Sequence, residues 1–385
     1  MNYKQNIDKS HYGRIGDYIK LIDERNKGLR VQQLLGLSIS KQFIPSVANI
    51  IGTDMENYKI IRKNQFACST MQVRRDKKMP VALLQEVDEA IISQAYPIFE
   101  VKDETKLLPE YLMMWFTRSE FDREACFHAV GGVRGSLEWE DFENMQLPVP
   151  HIGKQREIVK EYNVIQNRIA LNQQLIQKLE ETAQAVYKQW FVEGIDLENL
   201  PEGWRVGVLN ELCEYSSKRI SVSDLNLDDY ISTENMLQNK GGVVSANSLP
   251  STGSVTNFDK GNILISNIRP YFKKIWLANF SGGCSNDVLC FVPKPNIPSL
   301  YLYQMLEKDN FFEYVMSGSK GTKMPRGDKK WIMNFLTVIP STELLDRFST
   351  LISTIQHRIS LKKQENQKLT ELKDLLLSKL ATIEN

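Results

Sequence analysis

Ile165–Glu181 reads IQNRIALNQQLIQKLEE, and Ile355–Glu371, 190 positions later, reads IQHRISLKKQENQKLTE. Ten of these seventeen positions are identical. Further matches keep nearly the same offset and set Leu147-Pro-Val-Pro150 opposite Thr337-Val-Ile-Pro340, Arg14-Ile-Gly16 opposite Arg205-Val-Gly207, Leu21 opposite Leu212, and Ser93 and Phe99 opposite Ser285 and Phe291. Two helices of similar composition can match by chance, but chance does not repeat the offset elsewhere in the chain. We therefore predict two copies of one unit, each of about 190 residues.

Apolar residues recur at spacings of four and three through both segments, from Ile158 to Trp190 and from Phe348 to Leu380. This spacing is typical of a coiled-coil seam. Asn172 and Lys362 place a polar residue at the same seam position in the two copies. The sequence predicts two long helices, and a pseudo-two-fold repeat favours an antiparallel pair. The second seam carries further polar residues, so partial core packing on another face stays open for that helix.

The region before each helix is rich in β-branched and aromatic residues, which predicts strands. Strands are expected at 31–40, 65–73 and 91–101, with counterparts at 229–236, 262–268 and 287–292, and one helix each at 109–128 and 298–316. The predicted fold class is α+β, with two similar lobes separated by an antiparallel pair of long coiled-coil helices. The expected boundaries are 1–150 and 205–340 for the lobes, 151–191 and 341–385 for the helices, and 192–204 for a linker.

The bulk composition excludes some classes of protein. A formal net charge of +1 excludes a wholly basic nucleic-acid-coating protein, although basic residues on one face would still bind DNA. No apolar run approaches the roughly 18 residues of a membrane span, and the first ten residues lack the apolar core of a secretory signal. Five cysteines without Cys-x-x-Cys spacing fit a reducing compartment, so we expect a cytoplasmic protein.

Motifs for catalysis are largely missing from the sequence. There is no phosphate-binding Gly-x-x-x-x-Gly-Lys loop and no Gly-x-Gly-x-x-Gly loop after a strand. The four histidines are not in zinc-binding spacing. Asp103, Glu104 and Lys106 faintly resemble a nuclease cluster, but their polar run is better explained as a surface turn. The sequence favours a chain without catalytic activity.

Basic clusters do recur, and they do so at corresponding places in the two units. Gly318–Lys330 has a local net charge of +4, and Gln72–Lys78 has +3. A single cluster fits a solvated loop equally well, but its recurrence favours DNA contact, since Lys and Arg reach phosphates and Arg also reads guanine. The candidate DNA-binding residues are Arg74, Arg75, Lys77, Lys78, Arg134, Lys218, Arg219, Arg269, Lys273, Lys274, Lys320, Lys323, Arg326, Lys329 and Lys330.

With these features the chain resembles the specificity (S) subunits of type I restriction-modification systems over essentially its whole length. The resemblance rests on the order lobe, helix, lobe, helix and on four local matches: Leu147-Pro-Val-Pro150, Ile165–Leu179 with its copy Ile355–Leu369, Lys188-Gln-Trp-Phe191 and Leu200-Pro-Glu-Gly-Trp204. The first lobe departs from the pattern, because it lacks a Leu-Pro-x-Gly-Trp opening and begins at His11-Tyr-Gly-Arg14.

The resemblance implies a non-catalytic subunit in which each lobe is a target-recognition domain for one half of a split DNA sequence. It implies that the helices set the spacer and dock two methyltransferase (M) subunits, to which restriction/translocase (R) subunits are added. S-adenosylmethionine, ATP and Mg would then be bound by the partner subunits, and no membrane would be involved. The subunit of a methylase-only or type II-like system, an independent nuclease or methyltransferase, and a coiled-coil adaptor remain alternatives.

Overall fold

The structure is a computed structural model that describes residues 12–46, 52–131 and 135–382. It forms two compact units. The first unit comprises Met1–Asn172 with Gln364–Asn385, and the second comprises Gln173–Lys363. Both division points fall inside a long helix, so each unit contains part of both long helices.

The first unit is built on a four-stranded sheet of order β2-β9-β6-β7. Its strands are β1 (Tyr12–Arg14), β2 (Ile19–Ile22), β3 (Leu35–Leu37), β4 (Phe43–Pro45), β5 (Lys59–Arg62), β6 (Gln65–Cys68), β7 (Val81–Leu83), β8 (Glu89–Ile92), β9 (Ile98–Val101) and β10 (Gln146–Pro148). Its short helices are α1 (Ile15–Tyr18), α2 (Val73–Asp76), α3 (Pro109–Thr117), α4 (Ser119–His128) and α5 (Trp139–Asn144), and they precede the long helix α6 (Ile152–Phe191).

Alternating side chains of this sheet enter two different cores, as the period of two in a strand requires. Phe66 and Phe99 stack in parallel with ring centroids 4.9 Å apart and pack under the short helices. Ala67 and Ile98, one residue along each strand, join the core on the opposite face. The sheet is thus covered on both sides, and its strands pair antiparallel throughout.

The second unit repeats this arrangement with a sheet of order β12-β19-β16-β17. Its strands are β11 (Arg205–Val208), β12 (Cys213–Tyr215), β13 (Arg219–Ser221), β14 (Tyr230–Ile231), β15 (Ser254–Phe258), β16 (Ile263–Ser266), β17 (Ile275–Leu277), β18 (Gly282–Cys284), β19 (Val288–Pro293) and β20 (Leu336–Ile339). Its helices are α7 (Ser299–Leu306), α8 (Asp309–Ser317), α9 (Lys329–Met333) and the long α10 (Thr342–Lys379).

The two lobes fold alike, as the internal repeat predicts. In each, the first strand pairs antiparallel with the strand that precedes the long helix, β1 with β10 and β11 with β20. Strand register also confirms that Phe99 corresponds to Phe291, because they face Phe66 and Ile263 at the same place in the two sheets. The lobes differ at their edges. Two isolated bridges of the first unit, Arg25 with Lys59 and Leu34 with Ile91, are replaced in the second unit by the longer strand pairs β13–β15 and β14–β18.

The long helices α6 and α10 pack against each other in the antiparallel sense within each unit. In the first unit Ile158 and Leu377 share one core, and Asn172 donates from its Nδ2 to Oδ1 of Asn366 over 2.9 Å. In the second unit Glu180 pairs with Lys363. The predicted seam residues are all buried or half-buried, so the predicted α+β class and helix pair are confirmed.

Several local predictions need correction. The predicted strand at 65–73 ends at Cys68, and a helix begins at Val73. The predicted strand at 91–101 is two strands, β8 and β9, and each predicted single helix is a pair, α3 with α4 and α7 with α8. Arg118 breaks the first pair because its backbone is extended (φ −67°, ψ 142°).

The alignment at the start of each unit was also wrong by three residues. Gly13 faces Leu147 and Gly207 faces Thr337, so it is Gly13, not Gly16, that corresponds to Gly207. By the same register Leu21 corresponds to Tyr215, not to Leu212, since they face Phe99 and Phe291. An Arg–aliphatic–Gly triplet carries too little information to fix a register.

Candidate nucleic-acid interface

The basic segment of the first unit is a tight turn around α2. Its two flanking residues, Gln72 (φ 64°) and Lys77 (φ 52°), are both left-handed, so the chain reverses sharply at each end of the single helical turn. The four cations of the segment, Arg74, Arg75, Lys77 and Lys78, are all exposed. Arg75 pairs with Asp76 over 2.6 Å, and this contact holds the pKa of the Asp76 carboxyl below its usual value.

A second loop lies directly against this turn. The backbone N–H of Leu137 donates to the carbonyl of Thr70 over 2.9 Å, and that of Arg74 donates to the carbonyl of Gly135 over 3.3 Å. The Arg74 guanidinium donates to the carbonyl of Gly131 over 3.3 Å. The structure therefore brings the basic turn together with the loop whose cation is Arg134, although Arg134 itself lies outside the described residues.

A buried ion pair anchors the far end of the same turn. Asp122 on α4 accepts hydrogen bonds from the Met79 N–H over 3.1 Å and from Lys41 Nζ over 2.8 Å. The side chains of Lys41 and Asp122 are only 7% and 11% exposed, and burial lowers the pKa of the lysine. The cost of removing either partner is large because the other charge would remain buried. The turn is thus held in place from inside the unit.

The second unit forms the same turn. Arg269 (φ 50°) and Lys273 (φ 49°) are left-handed residues that flank the single 3-10 turn Pro270–Phe272. The backbone N–H of Gly327 donates to the carbonyl of Asn267 over 3.3 Å, which is the equivalent of the Leu137–Thr70 bond. The predicted correspondence of the basic clusters in the two lobes therefore holds at the level of individual backbone bonds.

The long basic loop of the second unit is closed on itself. The backbones of Lys320 and Arg326 exchange two hydrogen bonds of 2.9 Å. Lys320 Nζ donates to Asp328 over 2.8 Å, and Asp328 also caps α9 by accepting from the N–H groups of Lys330 and Trp331. These contacts lower the pKa of Asp328 to about 2, and the hydrogen bond from Lys320 contributes most to this shift. Asp328 therefore stays ionised at neutral pH. The loop is a defined structure, and its cations have fixed backbone positions.

Ion pairing divides the candidate cations into two groups. Arg326 pairs with Asp287 over 3.1 Å, so counting Asp287 lowers the local net charge of this loop from +4 to +3. Lys218 pairs with Asp259 and Lys273 pairs with Asp309, both over 2.9 Å. Within the described ranges, Lys77, Lys78, Lys323, Lys329 and Lys330 make no ion pair, and neither does Arg219. Lys274 is half-buried and donates to the carbonyl of Thr233 over 2.6 Å, and burial lowers its pKa.

Exposed apolar side chains beside the basic turns were missed by the sequence analysis. Phe127 is 81% exposed on the last turn of α4, where its neighbour Cys126 donates to the carbonyl of Val73 in α2. Tyr271 and Trp331 are exposed in the second unit. The signal for Phe127 was present in the spacing: Phe121 and Ala125 lie on the buried face, and a residue two positions later points away from it.

No helix within residues 12–46, 52–131 and 135–382 is long and apolar enough to cross a membrane. No group of three or more His, Cys, Asp and Glu side chains there could hold a metal ion.

Part of the chain is similar to a known domain family. Residues 47–181 match the family model of the type I restriction modification DNA specificity domain. The chain is 24% identical over 194 residues to the EcoDI specificity subunit of Escherichia coli, covering 48% of this chain and 42% of that protein. It is 22% identical over 149 residues to the HindI specificity subunit of Haemophilus influenzae, covering 38% of this chain and 32% of that protein. These alignments thus span less than half of either relative.

The fold comparison covers the full chain. The crystal structure of a type I restriction-modification system S subunit from M. genitalium superposes with a TM-score of 0.58 at 15% identity, covering 100% of this chain and 99% of that one. At this identity the likeness concerns the fold alone. Residues 47–181 are therefore similar to the type I restriction modification DNA specificity domain, and the chain shares the fold of the M. genitalium S subunit.

Proposed function

We propose that this chain is the DNA sequence-specificity subunit of a type I restriction-modification complex, and that it has no catalytic activity of its own. Each lobe, at 1–150 and 205–340, reads one half of a bipartite DNA target. The helices at 151–191 and 341–385 set the spacer, and 192–204 links the two copies. The specificity domain at residues 47–181 and the specificity subunits among the relatives support this proposal.

One observation carries the proposal most directly. Each lobe joins a basic left-handed turn to a second loop through the same backbone bond, Leu137 to Thr70 in one lobe and Gly327 to Asn267 in the other. Two copies of one DNA-contacting element suit a target made of two half-sites. Phosphate contacts from the cations would position the lobes, and contacts to base edges would supply the sequence preference.

The proposed partners are double-stranded DNA, two methyltransferase subunits and restriction/translocase subunits, in the cytoplasm. Exposed apolar residues on the long helices support docking to a protein. Val164 and Leu171 of α6 are 62% and 60% exposed and lie one heptad apart, while Leu372 and Leu375 of α10 are half exposed. S-adenosylmethionine, ATP and Mg are proposed to bind the partner subunits.

The experiment that tests this function removes charge from the long basic loop. Replacing Lys320, Lys323 and Arg326 with Gln should weaken duplex binding by the assembled methylase complex and flatten its salt dependence. The logarithm of the binding constant falls with a slope of about 0.9 per phosphate contact, so the loss should be largest at low salt. Lys363→Gln, which removes one exposed cation from α10, is the control. Equal affinity of the triple variant and the parent across a salt titration would contradict the proposal.

A further inference from the structure

A polar cleft of about 300 Å³ opens in the second unit between β12, β13, β15 and the start of α9. It brings together two candidate cations that the sequence places 110 residues apart, Arg219 and Lys329. Tyr215, Ser216, Thr256 and Asn286 also line it, and none of its lining residues is acidic. The cleft therefore has two positive charges and several hydrogen-bonding groups on its walls.

Arg219 is held at this cleft by neutral groups alone. Its Nη1 donates to Thr256 Oγ1 over 3.3 Å and to Asn286 Oδ1 over 3.4 Å, and its Nε donates to Ser254 Oγ over 3.4 Å. Its Nη2 donates to the Ser254 carbonyl. Three of these bonds are near the long limit for a hydrogen bond, so an incoming anion could replace them at little cost. The guanidinium is oriented, but its charge has no carboxylate partner.

Lys329, the first residue of α9, supplies the second charge. Its Nζ lies 5.6 Å from the centre of the Tyr215 ring, and the Tyr215 hydroxyl donates to the Lys329 carbonyl over 3.1 Å. Burial raises the pKa of Tyr215 and raises that of Cys290 in the cleft to about 12, so both stay neutral at neutral pH. Neither neighbour offsets the charge of Lys329.

Each of these two cations lies close to another cation that does have a counter-charge. Lys218, the residue before Arg219, pairs with Asp259, and Lys320, near Lys329, pairs with Asp328. In the first unit Arg62 at the end of β5 pairs with Glu24. Two uncompensated cations in one cleft therefore indicate a site for an anion that the lobe itself does not supply.

We propose that this cleft binds a phosphate group, with Arg219 and Lys329 as its two cations. A volume of 300 Å³ is about that of ten water molecules, which accommodates a phosphodiester with part of its sugar. A backbone phosphate of the bound duplex is one source, and this version rests on the proposed function. Free phosphate is the other source, and it has the same chemistry.

The duplex arm of the test measures salt-dependent DNA binding by the assembled methylase complex. Arg219→Gln and Lys329→Gln should each reduce the slope of log binding constant against log salt, and the double variant should reduce it by about 0.9 in total, equally for specific and unrelated duplexes. Because both cations hold one phosphate, the double variant should lose less affinity than the sum of the single losses. Lys260→Gln, an exposed cation outside the cleft, should leave the slope unchanged.

The second arm measures binding of inorganic phosphate to the full chain by phosphorus NMR. Reduced slopes with the duplex identify a backbone phosphate, and loss of phosphate binding with unchanged slopes identifies free phosphate. Unchanged behaviour of both variants in both arms overturns the proposal. If the parent complex binds no duplex, the proposed function fails while the phosphate arm still tests the cleft.

The choice of variants separates an effect on the cleft from an effect on folding. Arg219 joins β13 to β15, so its replacement could weaken the sheet, and a thermal melt checks this. Lys329 makes no side-chain hydrogen bond within the described part of the chain, so Lys329→Gln tests the cleft without disturbing those strands.

Discussion

Single residues decide which cations of the basic loops are available to a ligand. Arg75, Lys320 and Arg326 each have a carboxylate within 3.1 Å, whereas Lys323 and Lys330 have none among the described residues. Exposed ion pairs contribute little stability, typically below about 1 kcal/mol. A DNA phosphate could therefore replace the carboxylate as the partner of these cations. The sequence predicted the clusters from composition, but it could not predict the pairs. Asp287, which pairs with Arg326, is 39 positions away in the chain.

One carboxyl group gives a pH-dependent prediction. Burial raises the pKa of Glu307 from 4.5 to about 7, although Lys240 and a hydrogen bond from Gln184 act in the opposite direction. The folded state thus holds this proton more tightly than the unfolded chain. Its contribution to the free energy of unfolding is complete below about pH 4 and is lost as the pH rises through 7.

We expect Glu307→Gln to remove this dependence. The variant should be more stable than the parent at pH 8, by on the order of 2 kcal/mol, and should lose that advantage at pH 5. Urea unfolding of the full chain at a series of pH values measures this, with the exposed Glu313→Gln as control. Parallel stability profiles of the Glu307 variant and the parent would contradict the assignment.

At the scale of elements, the long helices were the most predictable part of the fold. Their seam repeats over several turns, so the period is unambiguous. The strands were less predictable, since residues 91–101 were predicted as one strand while the structure divides them at Ser93–Pro97. The sequence contained no sign of the left-handed residues at both ends of α2, Gln72 and Lys77, because glutamine and lysine rarely adopt that conformation.

The seam itself makes a prediction about Asn172. Sequence predicted this residue and Lys362 as equivalent polar positions, but the partner of Asn172 in the first unit is Asn366. Asn172 is 3% exposed, so Asn172→Ala should leave the Oδ1 of Asn366 without its donor and cost about 1–3 kcal/mol. Replacing both with Leu should cost much less, because no polar group remains unpaired. Urea unfolding of both variants measures this, and an equal loss in the two would contradict the pairing.

At the scale of the whole molecule, the length of the two long helices is proposed to set the length of the unread DNA spacer. Inserting one matched heptad into both α6 and α10 lengthens each by about 10.5 Å, which corresponds to about three base pairs of duplex. We expect the unread spacer to grow by about that number with both half-sites unchanged. Seven residues inserted into the 192–204 linker should leave the spacer as it was. Altered half-sites with the old spacer would contradict this role of the helices.

The repeated lobe was predictable from a single sequence, whereas the bases that it reads were not. The repeat appears as identical residues at a fixed offset. Base recognition depends on which side chains reach the DNA, and Leu137 and Gly327 take their positions from partners distant in the chain, Thr70 and Asn267. A register error of three residues at Gly13 shows how little a short match constrains.

Each lobe is proposed to recognise one half of the DNA target independently of the other. Methylation mapping at base resolution after exchange of one lobe tests this most directly. Residues 205–340 are replaced by the matching segment of a related S subunit, and the chain is expressed with the proposed methyltransferase partners. The account predicts that one half of the methylated sequence changes while the other half and the spacer remain. A change in both halves, or in neither, would contradict it.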